Sequence, residues 1–296
     1  MRWTKAVAAL AAVGLLAGGC GSSKSPPIRG VIAAVGRNGI LIRTAKGRIV
    51  RLGNTSWVHP TWSHAGSQIA FVRSRVCAKT ACNPVYVMHR DGSDAHSVGR
   101  IRTIAQSQLS WAPTDHALVF TSPSFAITTV RPDGSGLHEI THTDAITGSD
   151  HAWSPDGRTI IFVGVRVRRS VPVSGQGLFA VHPNGTDLHL LAQPPKGTLW
   201  VYPNWSPGGK HIALIEFSRS GALVKVMNSQ GHDETTLVKS RVPDHPEVGL
   251  TWSPDGRWIA YVDTGGTKTP GIWAVPAGGG APHRLFNGAI MPNWGR

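Results

Sequence analysis

Five short apolar runs recur along the chain, at residues 69–72, 117–120, 160–163, 212–215 and 259–262. None alternates internally, so each is expected to be a strand buried on both faces. A Trp and a turn-forming cluster precede each run, at Trp62, Trp111, Trp153, Trp205 and Trp252. The fullest copies are Trp153-Ser154-Pro155-Asp156-Gly157 and Trp252-Ser253-Pro254-Asp255-Gly256. Pro presets φ and Gly accepts positive φ, so the cluster reads as a tight turn between two strands. A third strand follows a variable loop, as at residues 85–88 and 271–275. A second turn ends it, as at Arg90-Asp91-Gly92, Pro132-Asp133-Gly134 and Pro183-Asn184-Gly185. A weaker fourth strand closes the unit, as at residues 188–191 and 283–286. No helical periodicity interrupts residues 28–296.

Units of four antiparallel strands repeated every 42 to 52 residues define the blades of a β-propeller. The N-terminal piece supplies a second strand at 31–35, a third at 40–43 and a fourth at 49–52, but no first strand with its Trp. Pro292-Asn293-Trp294 echoes Pro203-Asn204-Trp205 at the far end of the chain. The expected fold is therefore all-β and six-bladed, its ring closed by the C-terminal strand joining the N-terminal blade. The six residues Trp62, Trp111, Trp153, Trp205, Trp252 and Trp294 are read as structural packing between strands.

The repeated Trp-Ser-Pro-Asp-Gly turn, the Ile-Ala-Phe-like strand after it and the later Asp-Gly turn resemble the TolB-type propeller repeat, a relative of the WD repeat. The resemblance covers residues 28–296. It implies a propeller fold and a place in the bacterial cell envelope. The α/β domain carried by the family's namesake is not expected within this span.

Residues 1–19 have the layout of a secretory signal. Arg2 and Lys5 precede an apolar stretch, 6–16, that is short for a membrane span. Leu16-Ala17-Gly18-Gly19-Cys20 resembles the lipobox of bacterial lipoproteins, in which the Cys thiol is acylated and becomes the new N-terminus. Lipidation at Cys20, with palmitate-type chains, would hold the protein at a membrane, since two or more chains anchor stably. Residues 20–27 read as the lipidated Cys and a flexible tether. The seven residues after Cys20 reach at most about 25 Å. The expected location is extracytoplasmic, lipid-anchored to a bacterial membrane.

Composition changes the picture in one respect. The formal net charge is +14, and the signal contains only Arg2 and Lys5 of the 30 basic residues. A basic surface favours anionic partners. The variable loops between second and third strands carry Arg73, Arg75, Lys79, Arg166, Arg168, Arg169, Arg219 and Lys268. All are expected on one rim, as a candidate site for an envelope protein or an anionic wall polymer. Nucleic acid is not an expected partner, because the basic loops lack the interleaved aromatics of single-strand binders.

Cys77 and Cys82 lie in one such loop and are expected to form a disulfide outside the cytoplasm. A loop this short would gain roughly 2 kcal/mol from the bond. His142, Asp144, Asp150 and His151 cluster before Trp153. They could ligate a divalent metal or run acid–base chemistry, and they could equally be ordinary loop polars. Gly175-Gln176-Gly177 mimics part of a dinucleotide fingerprint but enters a strand, where that mechanism fails. The chain has no Gly-x-Ser-x-Gly elbow and no phosphate-binding loop. No metal or cofactor is expected, and no catalytic residue is assigned. The expectation is a monomeric, envelope-anchored scaffold that binds through its rim. The alternative is a lyase or hydrolase acting on a polysaccharide or lactone-like substrate in the axial funnel.

Overall fold

The computed structural model describes residues 30–53, 56–77, 80–104, 107–142, 146–168, 171–240, 249–264 and 269–296, with backbone alone for 75–77 and 80–82. The signal, Cys20 and the tether lie outside the described residues. Among the described residues no helix is long and apolar enough to cross a membrane.

The strands form six antiparallel blades. Blade 1 begins with β1 (Val31–Gly36), β2 (Gly39–Arg43) and β3 (Ile49–Leu52). Blade 2 contains β4 (Trp57–Trp62), β5 (Gln68–Arg73), β6 (Arg75–Cys77), β7 (Thr80–His89) and β8 (His96–Thr103). There β5 and β6 both pair with β7, so they act as one interrupted second strand. Blade 3 contains β9 (Ser110–Trp111), β10 (Leu118–Thr121), β11 (Ile127–Val130) and β12 (His138–Glu139). Blade 4 contains β13 (Ile146–Trp153), β14 (Ile160–Arg168), β15 (Val171–Val181) and β16 (His189–Ala192). Blade 5 contains β17 (Leu199–Trp205), β18 (His211–Ser218), β19 (Gly221–Asn228) and β20 (Thr235–Ser240). Blade 6 contains β21 (Leu250–Trp252), β22 (Trp258–Asp263), β23 (Gly271–Pro276) and β24 (His283–Asn287). The last strand, β25 (Ala289–Gly295), pairs with β1, setting Trp294 opposite Ile32. The ring closes between the two ends of the chain.

Burial grades from the axis outward. The cores of the second strands are buried on both faces, as in β10 and β22, because each is sandwiched between neighbouring blades. The outer strands alternate or are exposed, as in β3, β12 and β16. The apolar residues fall into six clusters, one at each junction between adjacent blades. Trp62 packs with Val31, Ala33 and Ile40 of blade 1. Trp294 packs with Ala260, Ile272 and Ala274 of blade 6. Trp111, Trp153, Trp205 and Trp252 each sit in a corresponding cluster with the blade before them. Each unit's Trp thus reaches back into its predecessor, and no blade can bury its own faces alone.

The turn after each Trp has one hydrogen-bond plan. In blade 4 Ser154 N–H donates to the Thr159 carbonyl at 2.8 Å and Gly157 N–H donates to the Ser154 carbonyl at 3.0 Å. The Ser154 hydroxyl adds two bonds, accepting Thr159 N–H at 2.9 Å and donating to Asp156 at 2.6 Å. Ser253 repeats this with Trp258 N–H and Asp255. Ser63 and Ser206 accept the equivalent N–H groups of Gln68 and His211. Gly157 has φ +75°, the conformation that makes Gly the preferred residue there. Blade 3 departs twice, with Ala112 in place of Ser and Asp115 in place of Gly. Asp115 holds φ 58°, and its carboxylate accepts the backbone N–H groups of His64 and Ala65 in the turn of blade 2. The strained residue therefore caps its neighbour's turn.

Candidate functional site

The six first strands line the axis with their inner edges unpaired, a position that normally invites aggregation or needs covering. Here side chains cover part of it. Asn293 Oδ1 accepts Trp62 N–H at 2.9 Å, Ser110 Oγ accepts Trp153 N–H at 3.2 Å, and Thr251 Oγ1 accepts Trp294 N–H at 3.2 Å. In each case the acceptor is the residue just before one blade's Trp, and the donor is the next blade's Trp. Two indoles bond across two other junctions: Trp111 Nε1–H donates to the Thr61 carbonyl and Trp252 Nε1–H to the Asn204 carbonyl. This stitching residue was not singled out from sequence. Its only signal is a side-chain oxygen before most of the Trp residues. A cavity of about 260 Å³ opens at this end of the axis, walled by the six Trp residues.

The opposite end of the axis is built from the start of the first strands. His59, Asp150, Tyr202 and Met291, each three residues before a Trp, hold φ of 52°, 41°, 55° and 51°. Their strands shift register there, a bulge that turns the chain in toward the axis. His59, Gln108, His151, Tyr202 and Met291 help to line a cavity of about 70 Å³. His151 is 1% exposed, and neither ring nitrogen has a hydrogen-bond partner. Burial pushes its pKa down to about 3, so the ring stays neutral. Burial pushes Asp150 up to about 7, against a stabilising hydrogen bond from Tyr202 N–H. Of the four residues noted before Trp153, His151 lines this cavity, and Asp150 accepts the N–H of Tyr202, another lining residue. His142 is exposed, and Asp144 lies outside the described residues. Among the described residues no group of three or more His, Cys, Asp or Glu side chains could hold a metal ion.

The loops between second and third strands all leave the ring at this same end. Arg166 and Arg168 project from β14 and are exposed, as is Arg219 between β18 and β19; Arg73 ends β5 and is half-buried. The Arg166 guanidinium also lies 5.5 Å from the centre of the Phe179 ring. None of these four has a carboxylate partner within 4.0 Å among the described residues, where the ion pairs involve His and Lys225 only. Lys79, Arg169 and Lys268 lie outside the described residues, as does the side chain of Arg75. The β6–β7 register sets Cys77 opposite Thr80 and Cys82 opposite Arg75, a diagonal across the hairpin. The cysteine side chains lie outside the described residues.

Blade 5 buries a separate charged group. Lys225 Nζ donates to Glu216 at 2.8 Å and also to Glu234, and Trp200 Nε1–H donates to Glu216 at 3.0 Å. Burial would lower the Lys225 pKa, but the bonds to Glu216 and Glu234 outweigh it and raise it. The ammonium is held between the two carboxylates, so the group serves packing within the blade.

A closed ring of six four-stranded units, with a cavity at each end of its axis, defines a β-propeller. The TolB beta propeller domain model matches residues 43–296, and the chain belongs to that family. Among solved structures it is similar to TolB from Acinetobacter baumannii, with TM-score 0.73 and 18% identity over 90% of this chain and 67% of that one. A putative TolB from Agrobacterium tumefaciens matches with TM-score 0.57 and 17% identity, over 77% and 87% of the two chains. A manganese-bound oligogalacturonate lyase matches with TM-score 0.56 and 12% identity, over 80% and 71%. These likenesses show the fold. No curated protein matches the chain by sequence.

Proposed function

We propose that this protein is a scaffold at the bacterial cell envelope, anchored through a lipidated Cys20, that binds an envelope protein or an anionic wall polymer on its loop rim. The observation that carries this reading is the uncompensated charge of Arg73, Arg166, Arg168 and Arg219, which lack carboxylate partners within 4.0 Å among the described residues. Unpaired cations gathered at one end attract an anionic partner and steer its approach. The direction of the tether supports the reading. Gly30, the first described residue, sits against Pro254 and Gly295 at the turn end. The chain thus enters the ring at the end opposite the rim, which leaves the rim open to a partner in this reading.

The test is binding of the exported protein to isolated anionic wall polymer at rising ionic strength. Binding should weaken with salt and weaken further in Arg166→Gln/Arg168→Gln. Salt-insensitive binding, or no change on substitution, would remove the support. Cys20→Ala should abolish fatty-acid labelling and membrane retention.

The unpartnered His151, next to Asp150 in sequence, favours a second reading, catalysis in the axial funnel. A carboxyl poised near neutral pH and a neutral, unpartnered imidazole suit proton transfer. Turnover of a uronate polysaccharide or a lactone, lost in Asp150→Asn, would establish it. Absence of turnover across both substrate classes leaves the scaffold reading standing.

A further inference from the structure

We propose that the β14–β15 hairpin, flanked by Phe125 and Leu199, is a docking surface for a protein partner whose contact region is apolar and bordered by carboxylates. The proposal rests on the scaffold reading above and narrows it to one surface and one kind of partner.

The hairpin outgrows its blade. Only Leu178, Phe179 and Ala180 of β15 pair with the outer strand, so residues 171–177 have a free outer edge. On the axial side the last pair with β13 among the described residues is Ile146–Arg166. Val171 and Val173 stand on this projection, 61% and 60% exposed. Two large apolar neighbours adjoin its base. Gly148 N–H donates to the Phe125 carbonyl, and Gly148 pairs with Gly164 of β14. On the other flank Trp200 N–H donates to the Gln176 side chain of β15, which brings the exposed Leu199 alongside. Val171 and Val173 thus stand exposed on the hairpin itself, with exposed Phe125 on its blade 3 flank and exposed Leu199 on its blade 5 flank.

Phe125 supplies an independent reason. It holds φ 65° in a turn where Gly would be unstrained, and its side chain is 49% exposed. A bulky residue in the left-handed region costs stability, and an exposed ring returns little to the fold. Strain that the fold does not use points to a use outside it.

Charge selects the partner. No Asp or Glu occurs from residue 157 to residue 186, a stretch that contains Arg166, Arg168 and Arg169. Lys196, before Leu199, is exposed as well. A protein with carboxylates around an apolar centre complements this surface. A lipid surface is disfavoured, because the chain enters the ring from the opposite end.

The experiment places a photoreactive amino acid at Val173 in the full-length, lipidated protein in cells, with Lys210 at the turn end as the control position. The proposal expects a cross-link from position 173 and not from 210, to a protein whose contact peptide is apolar and acid-flanked. Yield should fall on the order of tenfold with either Val171→Ser or Arg166→Gln/Arg168→Gln, the loss expected of a hot-spot side chain. Phe125→Gly should lower the yield while raising the melting temperature, a combination that a structural role for Phe125 cannot give. A cross-link to a second copy of the chain, or retention of an anchorless protein on anionic lipid vesicles through this hairpin, overturns the proposal. So does salt-sensitive polymer binding that Val171→Ser leaves intact, although the scaffold reading then survives. Absence of any binding at the rim defeats both.

Discussion

At one end of the ring the blades use matching residues in matching ways; at the other the blades diverge. At the turn end, Ser63, Ser154, Ser206 and Ser253 each accept the same N–H five residues on. At the loop end the connections differ in length, charge and apolarity, from the five residues separating Thr121 and Ile127 to the β14–β15 hairpin. The residues that define a blade are consumed in holding its neighbours, and they repeat because six junctions pose one packing problem. The loop end is released from that problem, so its variation is available for binding. The two ends should therefore respond differently to substitution.

The largest effect should come where the turn end and the chain end coincide. Trp294→Ala removes a buried indole from the cluster joining blades 6 and 1 and should cost about 3–5 kcal/mol. That is comparable with the lower range of whole-domain stability. Truncation before Met291 should go further, giving protein that aggregates or is proteolysed on expression. Thermal melting and solubility check both. A truncated protein melting at the wild-type temperature would mean that β25 does not fasten the ring.

Next should come Thr251→Val. It keeps the side-chain shape but leaves the buried Trp294 N–H without its side-chain acceptor. The expected cost is about 1–3 kcal/mol by chemical denaturation, the penalty for an unsatisfied buried donor.

The blade 3 turn allows a test in the opposite direction. Ser154→Ala should destabilise by about 1 kcal/mol through its lost bond to Thr159 N–H. Ala112→Ser, which gives blade 3 the hydroxyl that other blades carry, should stabilise by several tenths of a kcal/mol in the same assay. Equal effects of both changes would break the claim that the turn chemistry repeats.

The axial site should give an effect of another kind, visible through its pH dependence. Asp150, raised to about 7 by burial, holds its proton in the fold while the unfolded carboxyl ionises near 3.8. Its contribution to stability is complete below about pH 4 and is lost as pH rises through about 7. His151, lowered to about 3 by burial, stays neutral while the unfolded ring takes a proton below 6.5, so its contribution is lost as pH falls from about 6.5 to 3. Asp150→Asn removes only the first dependence and tolerates the left-handed backbone. It should raise the melting temperature more at pH 8 than at pH 5.

The contrast also explains what could be read from sequence. Trp and Ser-Pro-Asp-Gly were legible because one residue type performs one task repeatedly. Trp294 showed how the ring closes because it had no partner unit of its own. The stitching position was hidden, since Thr61, Ser110, Ala152, Asn204, Thr251 and Asn293 share little as residue types, and their task exists only once the next blade arrives. The bulge was hidden for a similar reason: His59, Asp150, Tyr202 and Met291 have no common chemistry, only a common backbone angle. His151 was noted as a loop polar, but its burial without partners follows from the ring's geometry. On the rim, the Arg residues were legible as charge. Val171 and Val173 were not, because apolar residues in a strand read as core until the strand is seen to leave its sheet.

Hydrogen exchange compares the two regions in one measurement. Amides of β25 should exchange as slowly as those of β22, because opening them requires opening the ring, while the hairpin tip at 171–174 exchanges within the fast, locally opening class. Exchange of the Trp294 amide at the rate of the hairpin tip would contradict the closed ring on which the whole account depends.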